Sequence, residues 1–312
     1  MKRIFILFLA LFILAGCLFS CKERKKSDGL KIVCTIFPLY DWTREIAGEN
    51  NDVMMLIGSG VDVHSYQPSV DDIMTISDCD VFVYVGGESD GWVKEALSQA
   101  KNKDMTVINL MELLGEKAKE EDKIGEESER EEETGYDEHV WLSLENAAFF
   151  CNEIAGILAE KDPENGDSYT ANSKSYVEKL DKLKNDFSAR FESRTCDTLI
   201  ICDRFPFRYL TDEFGFEYCA AFAGCSAETE ASADTLIRLA KKADEVKARA
   251  LFYIDGSDGK LAKTVRDMTE TKDQNLLMLN SLQSVGSDKV ERGMTYLSEM
   301  EKNLLTILTA VN

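Results

Sequence analysis

Residues 169–191 read YTANSKSYVEKLDKLKNDFSARF. Tyr169, Tyr176, Leu180, Leu183, Phe187 and Phe191 recur there at helical spacing, with polar and charged residues between them. With Pro163 near its start, the stretch predicts a helix of about 28 residues, roughly 42 Å long at 1.5 Å per residue. Either side of it the chain is organised alike. From Leu30 the first half alternates short β-rich runs near 31–36, 53–57, 81–85 and 106–108 with helical patterns near 39–47, 70–76 and 93–100. The second half offers strands near 198–201, 218–221, 251–254 and 276–279, and helices near 206–213, 233–246, 260–271 and 290–311. Such alternation implies parallel sheets covered by helices. The predicted fold is therefore α/β. Two Rossmann-like lobes, residues 30–162 and 195–312, are each a roughly four-stranded parallel sheet with flanking helices. One long rigid linking helix, residues 163–194, joins them.

The N-terminus reads as an address. Lys2 and Arg3 precede an unbroken apolar run over residues 4–15. That run is shorter than the roughly 20 residues a spanning helix needs, and it fits an export signal. Leu14-Ala15-Gly16-Cys17 resembles the bacterial lipobox, whose cysteine becomes the lipidated first residue after cleavage. The expectation is a signal peptide over 1–16, lipidation at Cys17 and a polar tether over 17–29. The mature protein would be extracytoplasmic and lipid-anchored to a bacterial membrane. Cys21 is the poorer lipidation site, because bulky Phe19 sits two residues before it.

Acidic side chains outnumber basic ones 57 to 36, for a net charge of −21. This argues against nucleic acid, whose phosphates must be met by Lys and Arg, and it suits attraction of cations. Only two histidines occur in 312 residues, which excludes a His-rich metal buffer. Residues 115–135 are mostly Glu and Lys, with no aromatic residue, and read as a mobile acidic loop. Export makes disulfides possible, but Cys34, Cys79, Cys151, Cys202 and Cys219 lie in or beside apolar runs and read as buried small hydrophobes.

In open parallel sheets, ligands bind beyond the carboxyl ends of the strands. Val61-Asp62-Val63-His64-Ser65-Tyr66-Gln67-Pro68 follows the second predicted strand. Past the acidic stretch comes Tyr136-Asp137-Glu138-His139-Val140-Trp141-Leu142. In the second half, Cys202-Asp203-Arg204-Phe205-Pro206-Phe207 and Gly224-Cys225-Ser226-Ala227-Glu228-Thr229-Glu230 follow the first two strands. Asp255 follows the third, and Asn280-Ser281 the fourth. Both histidines thus lie at strand ends of one sheet. Imidazole is the commonest transition-metal ligand at neutral pH, and carboxylates face it across a crevice, as a divalent-ion site requires.

Lys31-Ile32-Val33-Cys34-Thr35-Ile36-Phe37-Pro38-Leu39-Tyr40, His64-Ser65-Tyr66-Gln67-Pro68-Ser69, Asp80-Val81-Phe82-Val83-Tyr84-Val85-Gly86-Gly87 and Asp137-Glu138-His139-Val140-Trp141-Leu142 together carry a resemblance. Over nearly the whole mature chain, the sequence resembles the solute-binding lipoproteins of bacterial zinc and manganese ABC importers, the cluster with a helical strut between lobes. The resemblance implies His64 and His139 as the first two metal ligands. The family usually has Pro in place of Glu138. It often places an acidic, frequently His-rich loop before the second ligand. Residues 115–135 fit by position but hold no histidine.

The second lobe departs from the family pattern. A His or Glu three residues before a Phe usually supplies the third ligand. Here Arg204 stands three residues before Phe207, and a guanidinium cannot ligate a metal. An Asp after the last strand is usually the fourth, where this chain has Asn280 or Ser281. The chain thus resembles a variant second-lobe subgroup. Glu228 or Glu230 is expected to replace the lost oxygen, helped by Asp203 or Cys225. Glu230 also suits the start of a helix capped by Ser232. Arg204 is expected to pair with a carboxylate and hold it behind the site. A Cys225 thiolate would favour zinc over manganese.

What the resemblance implies is a monomeric carrier rather than an enzyme. It captures a divalent transition metal, zinc first and manganese next, and delivers it to an ABC permease and its ATPase subunit. Membrane contact is through the lipid anchor only, and the helical strut permits only modest lobe closure. Two other readings keep the fold. Arg204 suits an anion or a metal chelate. Three ligands and an open position would suit a metal-dependent surface hydrolase, although no HExxH spacing occurs. A host-adhesion role is compatible with each.

Overall fold

Lys31–Cys34 (β1), Asp52–Met55 (β2), Val81–Tyr84 (β3) and Thr106–Asn109 (β4) pair in parallel in the order β2-β1-β3-β4. Thr198–Phe205 (β5), Glu217–Ala223 (β6), Ala250–Ile254 (β7) and Asn275–Leu279 (β8) repeat the same pattern as β6-β5-β7-β8. The computed structural model describes residues 29–122, 124, 135–226 and 230–312. The signal sequence, Cys17, most of the tether, Glu228 and most of residues 123–134 lie outside the described residues. In each sheet the chain steps outward from its first strand, then returns to the other side of it. A switch point follows, between β1 and β3 and again between β5 and β7, where ligands settle in sheets of this kind. Inner strands such as Val81-Phe82-Val83 are buried throughout, because helices cover both faces. The two-lobed α/β architecture expected from the sequence is the one observed.

The helices are Phe37–Ala47 (α1), Val70–Ser77 (α2), Val93–Ser98 (α3), Leu110–Leu114 (α4), Leu144–Lys161 (α5), Gly166–Phe191 (α6), Arg208–Phe214 (α7), Ala233–Glu245 (α8), Lys260–Met268 (α9), Ser287–Glu291 (α10) and Tyr296–Val311 (α11). Helix α6 has 26 residues, about 39 Å, and buries Tyr169, Ser173, Tyr176, Leu180, Phe187 and Phe191 along one stripe. The stripe packs on α5 and α1 of the first lobe and on α11 of the second. Sequence periodicity did not reveal α5. Its buried face includes Ala147, Ala148, Cys151 and Ala155, small side chains that dilute a pattern of large apolar residues. One helix was expected over 290–311. Gly293, at φ 92°, breaks it into α10 and α11, a conformation that glycine adopts without steric cost.

A single apolar cluster runs through both lobes, including Trp42, Trp141, Phe150, Tyr176, Phe205 and Tyr296. At its centre the buried Asp41 accepts hydrogen bonds from the Tyr296 backbone (2.9 Å) and the Tyr176 hydroxyl (3.3 Å), and pairs with Arg44 (2.9 Å). Burial pushes its carboxyl above the usual range against these partners. Elements α1, α6 and α11 are thus tied together where the lobes join. An apolar interface of this extent holds domains closer to fixed than a polar one.

Among the described residues no helix is long and apolar enough to cross a membrane. None of the described cysteines is in a disulfide; Cys34, Cys79, Cys151 and Cys202 are buried, while Cys219 is half-buried.

Candidate metal centre

His64 sits on a one-turn helix, Val63–Ser65, beyond β2. Asp62 caps that turn, its carboxylate accepting from the His64 backbone at 3.0 Å. His139 immediately precedes a second such turn, Val140–Leu142, and is fully buried. Asp137 Oδ1 accepts from both the backbone N–H and Nδ1 of His139, each at 2.8 Å. Nδ1 therefore carries a proton, which in the neutral ring leaves the Nε2 lone pair free. The other imidazole is held in the same way. His64 Nδ1 lies 3.2 Å from Glu138 Oε1 and 2.7 Å from Ser89 Oγ, while Ser89 donates to Glu138 through its backbone (3.2 Å) and its hydroxyl. Successive carboxylates, Asp137 and Glu138, thus stand behind the two rings. Such partners set the tautomer and raise ligand basicity at metal sites.

The free edges converge. His64 Nε2 and His139 Nε2 are 3.2 Å apart. With both Nδ1 atoms engaged, the neutral rings turn two lone pairs toward each other, and a proton or a metal cation between them relieves the repulsion. Two nitrogens bound to tetrahedral zinc at about 2.0–2.1 Å stand about 3.3 Å apart, so the spacing fits the ion. Cys225, beyond β6 in the other lobe, brings its sulfur beside the two rings. One ring nitrogen of each histidine and the Cys225 sulfur all lie within 4.8 Å of one another. Gly224 permits this approach. A Cβ there would lie 2.8 Å from His139 Cε1 and 2.9 Å from the Phe205 carbonyl oxygen.

The field around the site is negative. Burial opposes charging His139, but Asp137, Glu138 and Glu121 raise its pKa above the ordinary value. Burial would lift Glu138, yet hydrogen bonds from His64 and Ser89 bring it below the usual carboxylate range. Burial, then Glu138, Glu121 and Asp137, push the Cys225 thiol well up. Glu121 reaches the site from the acidic stretch, its Oε1 accepting from the Cys225 backbone at 2.7 Å. The described ends of that stretch are tied to each other and across the cleft. Glu120 bridges to Tyr136, the Lys119 backbone donates to Tyr209 Oη at 2.9 Å, and Arg208 pairs with Asp122.

The second-lobe residues expected at the site divide. Cys225 joins the imidazoles. Asp203 does not, because β5 runs on through Phe205 instead of ending at 201. Within that strand Asp203 turns to the Arg204 backbone at 2.9 Å and the Ile254 backbone at 3.5 Å. Glu230 is exposed, two residues ahead of the Ser232 cap of α8, and stands apart from the cluster. Glu228 lies outside the described residues. Asn280 faces Glu299 (3.2 Å) and the Leu282 backbone (3.0 Å), and Ser281 donates to Asp255 at 2.7 Å. Arg204 crosses the cleft to Asp62 at 2.6 Å, and Gln283 donates to the same oxygen at 3.1 Å. Burial opposes the Asp62 charge, but Arg204 and the His64 backbone hold its carboxyl below the usual range. Sequence reasoning missed Ser89 and Glu121 as neighbours of the site, and marked Glu138 only as a departure from proline. The adjacency Asp137-Glu138-His139 was the available signal.

Two parallel α/β lobes bring imidazole and thiol groups together in the cleft between them, the two-lobed arrangement of a solute-binding fold. The chain belongs to the ZnuA family, described as "Zinc-uptake complex component A periplasmic", whose profile matches residues 32–310. This family is one of substrate-binding transport proteins, not enzymes. The zinc-binding lipoprotein AdcA of Streptococcus pneumoniae is 31% identical over 310 residues, 97% of this chain and 60% of that protein. The chain therefore spans about 60% of the length of that curated relative. Its fold is similar to the Zn(II)-bound ZnuA-like domain of the same protein, with TM-score 0.72 and 26% identity over 91% of this chain and 99% of that domain. It is also similar to the laminin-binding protein Lmb of Streptococcus agalactiae, described as bifunctional with adhesin and metal transporting activity. There the TM-score is 0.76 at 25% identity, covering 91% of this chain and all of the other.

Proposed function

We propose that this chain captures zinc outside the cytoplasm between His64 and His139 and hands it to an ABC permease driven by its ATPase subunit. One observation carries the reading: two Nε2 atoms converge at 3.2 Å while carboxylates stand at both Nδ1 positions. The zinc-bound ZnuA-like domain with the same fold supports zinc as the cargo. Lipidation at Cys17 would tether the protein beside its permease. The surrounding carboxylates draw a dication into the cleft, and the imidazoles displace its water. Because the lobes share one apolar core, loading and release proceed by small relative shifts. Manganese remains the second candidate ion. An anion ligand through Arg204 has less support, since that guanidinium already pairs with Asp62.

Imidazolium cannot ligate, so affinity falls as pH drops. The raised pKa of His139 places the start of that loss above the ordinary histidine range. Mature protein purified without a His tag is to be assayed for metal by mass spectrometry, beside the His64→Ala/His139→Ala double variant. About one zinc per chain, absent from the double variant, is expected for a single closed site. Retention of zinc by the double variant, or no uptake by the wild type from excess zinc, overturns the proposal.

A further inference from the structure

We infer that Cys225 supplies a sulfur ligand to this centre and makes it selective for thiophilic ions, zinc and cadmium, over manganese. The inference rests on the reading that His64 and His139 bind a metal, and adds the residue that decides which metal. Family resemblance points instead to oxygen or imidazole donors from the second lobe, and this chain has replaced or redirected them. Arg204 is spent on Asp62. Asp203, Asn280 and Ser281 satisfy backbone and side-chain partners of their own lobe. Glu230 is exposed. Among the described residues, the donor that the second lobe does bring to the imidazoles is sulfur.

The sulfur's placement is built by its neighbours. Gly224 has no Cβ to strike His139 or the Phe205 carbonyl, so the turn after β6 closes directly onto the imidazole. Glu121, from the other lobe, anchors the Cys225 backbone at 2.7 Å. The side chain is thereby aimed inward, with Sγ 3.8 Å from Glu138 Oε1, the carboxylate behind His64. Two nitrogens and one sulfur make a soft, low-coordinate donor set. Manganese prefers oxygen donors and higher coordination, whereas thiolate favours zinc and its heavier congener. On binding, the sulfur donates a lone pair to the ion and its proton passes to solvent, with no change of oxidation state.

The test uses the whole mature protein loaded with Co(II), beside Cys225→Ser, with zinc, cadmium and manganese affinities from chelator competition. The wild type is expected to show tetrahedral d–d bands and a thiolate-to-cobalt charge-transfer band in the near ultraviolet. Cys225→Ser is expected to lose the charge-transfer band. Its zinc affinity should fall by about 100-fold or more, beyond the loss usual for a group outside the ligand set, with a larger fall for cadmium. Manganese affinity should stay within about 3-fold, as expected of an ion that gains little from thiolate. Wild-type d–d bands without charge transfer, or unchanged zinc affinity in Cys225→Ser, overturn the inference and leave the imidazole reading standing. No d–d bands and no zinc uptake in the wild type overturn both. Should the variant fail to fold by circular dichroism, the wild-type spectrum decides alone.

Discussion

Asp90 lies beneath the site and is 4% exposed. One carboxylate oxygen accepts from the backbones of Val85 (3.0 Å) and Gly86 (2.9 Å), and the other has no hydrogen-bond partner among the described residues. Burial is the main cause of its altered acidity. The two amides oppose the shift, Glu138 adds to it, and the carboxyl is pushed from 3.8 to about 7. A folded pKa above the unfolded one means that stability is fully present below the unfolded value and is lost as pH rises through the folded one. A gap of about 3 units, at about 1.4 kcal/mol each, amounts to about 4 kcal/mol in the limit. Roughly 3 kcal/mol of that falls between pH 5 and pH 8.5. Asp90→Asn keeps an oxygen for both amides and never ionises. Its stability relative to the wild type should therefore rise by roughly 3 kcal/mol from pH 5 to pH 8.5. Urea unfolding of both metal-free proteins, followed by tryptophan fluorescence, reads this difference directly. Other buried acids, such as Asp41 and Glu213, titrate in both proteins and cancel. A difference that stays the same at the two pH values would refute the assignment of a proton to Asp90.

Glu138→Gln removes the charge behind His64 while preserving its shape, and should weaken zinc by about 10–100-fold in chelator competition; an unchanged constant would count against Glu138 as an orienting group. Arg204→Gln frees Asp62 from its cross-lobe partner. It should cost about 1 kcal/mol of stability, the scale of a partly exposed pair, and speed zinc release in stopped-flow chelation. Equal release rates would show that the pair does not hold the cleft. Gly224→Ala forces a Cβ against His139 and the Phe205 carbonyl. A cost of about 1–3 kcal/mol is expected for such crowding, with weaker zinc binding; a wild-type melting temperature and affinity would contradict the close approach.

Much of this architecture was legible along the chain because period and alternation are local properties. The run Tyr169 to Phe191 declares a helix by its spacing, and short β-rich runs between helical patterns declare parallel sheets. The two histidines were readable as a pair because both follow strands of one sheet, where ligands collect. Helix α5 escaped notice because its buried face uses alanine and cysteine, which carry little pattern. The end of β5 was misplaced, and with it Asp203, because nothing in Cys202-Asp203-Arg204 marks where pairing stops.

The choice among second-lobe donors was of another kind. Cys225, Glu230, Asp203 and Asn280 all stand near predicted strand ends, and spacing along the chain ranks none above another. What separates them is where each side chain finds its partner: Asp255 takes Ser281, Glu299 takes Asn280, Asp62 takes Arg204, and the gap left by Gly224 admits Cys225. Three of these four pairings join residues from 19 to 142 positions apart. The backbone's local preferences could announce two lobes and two imidazoles. Which groups meet between the lobes depends on contacts that exist only once both sheets are packed on α6 and the cleft has closed around them.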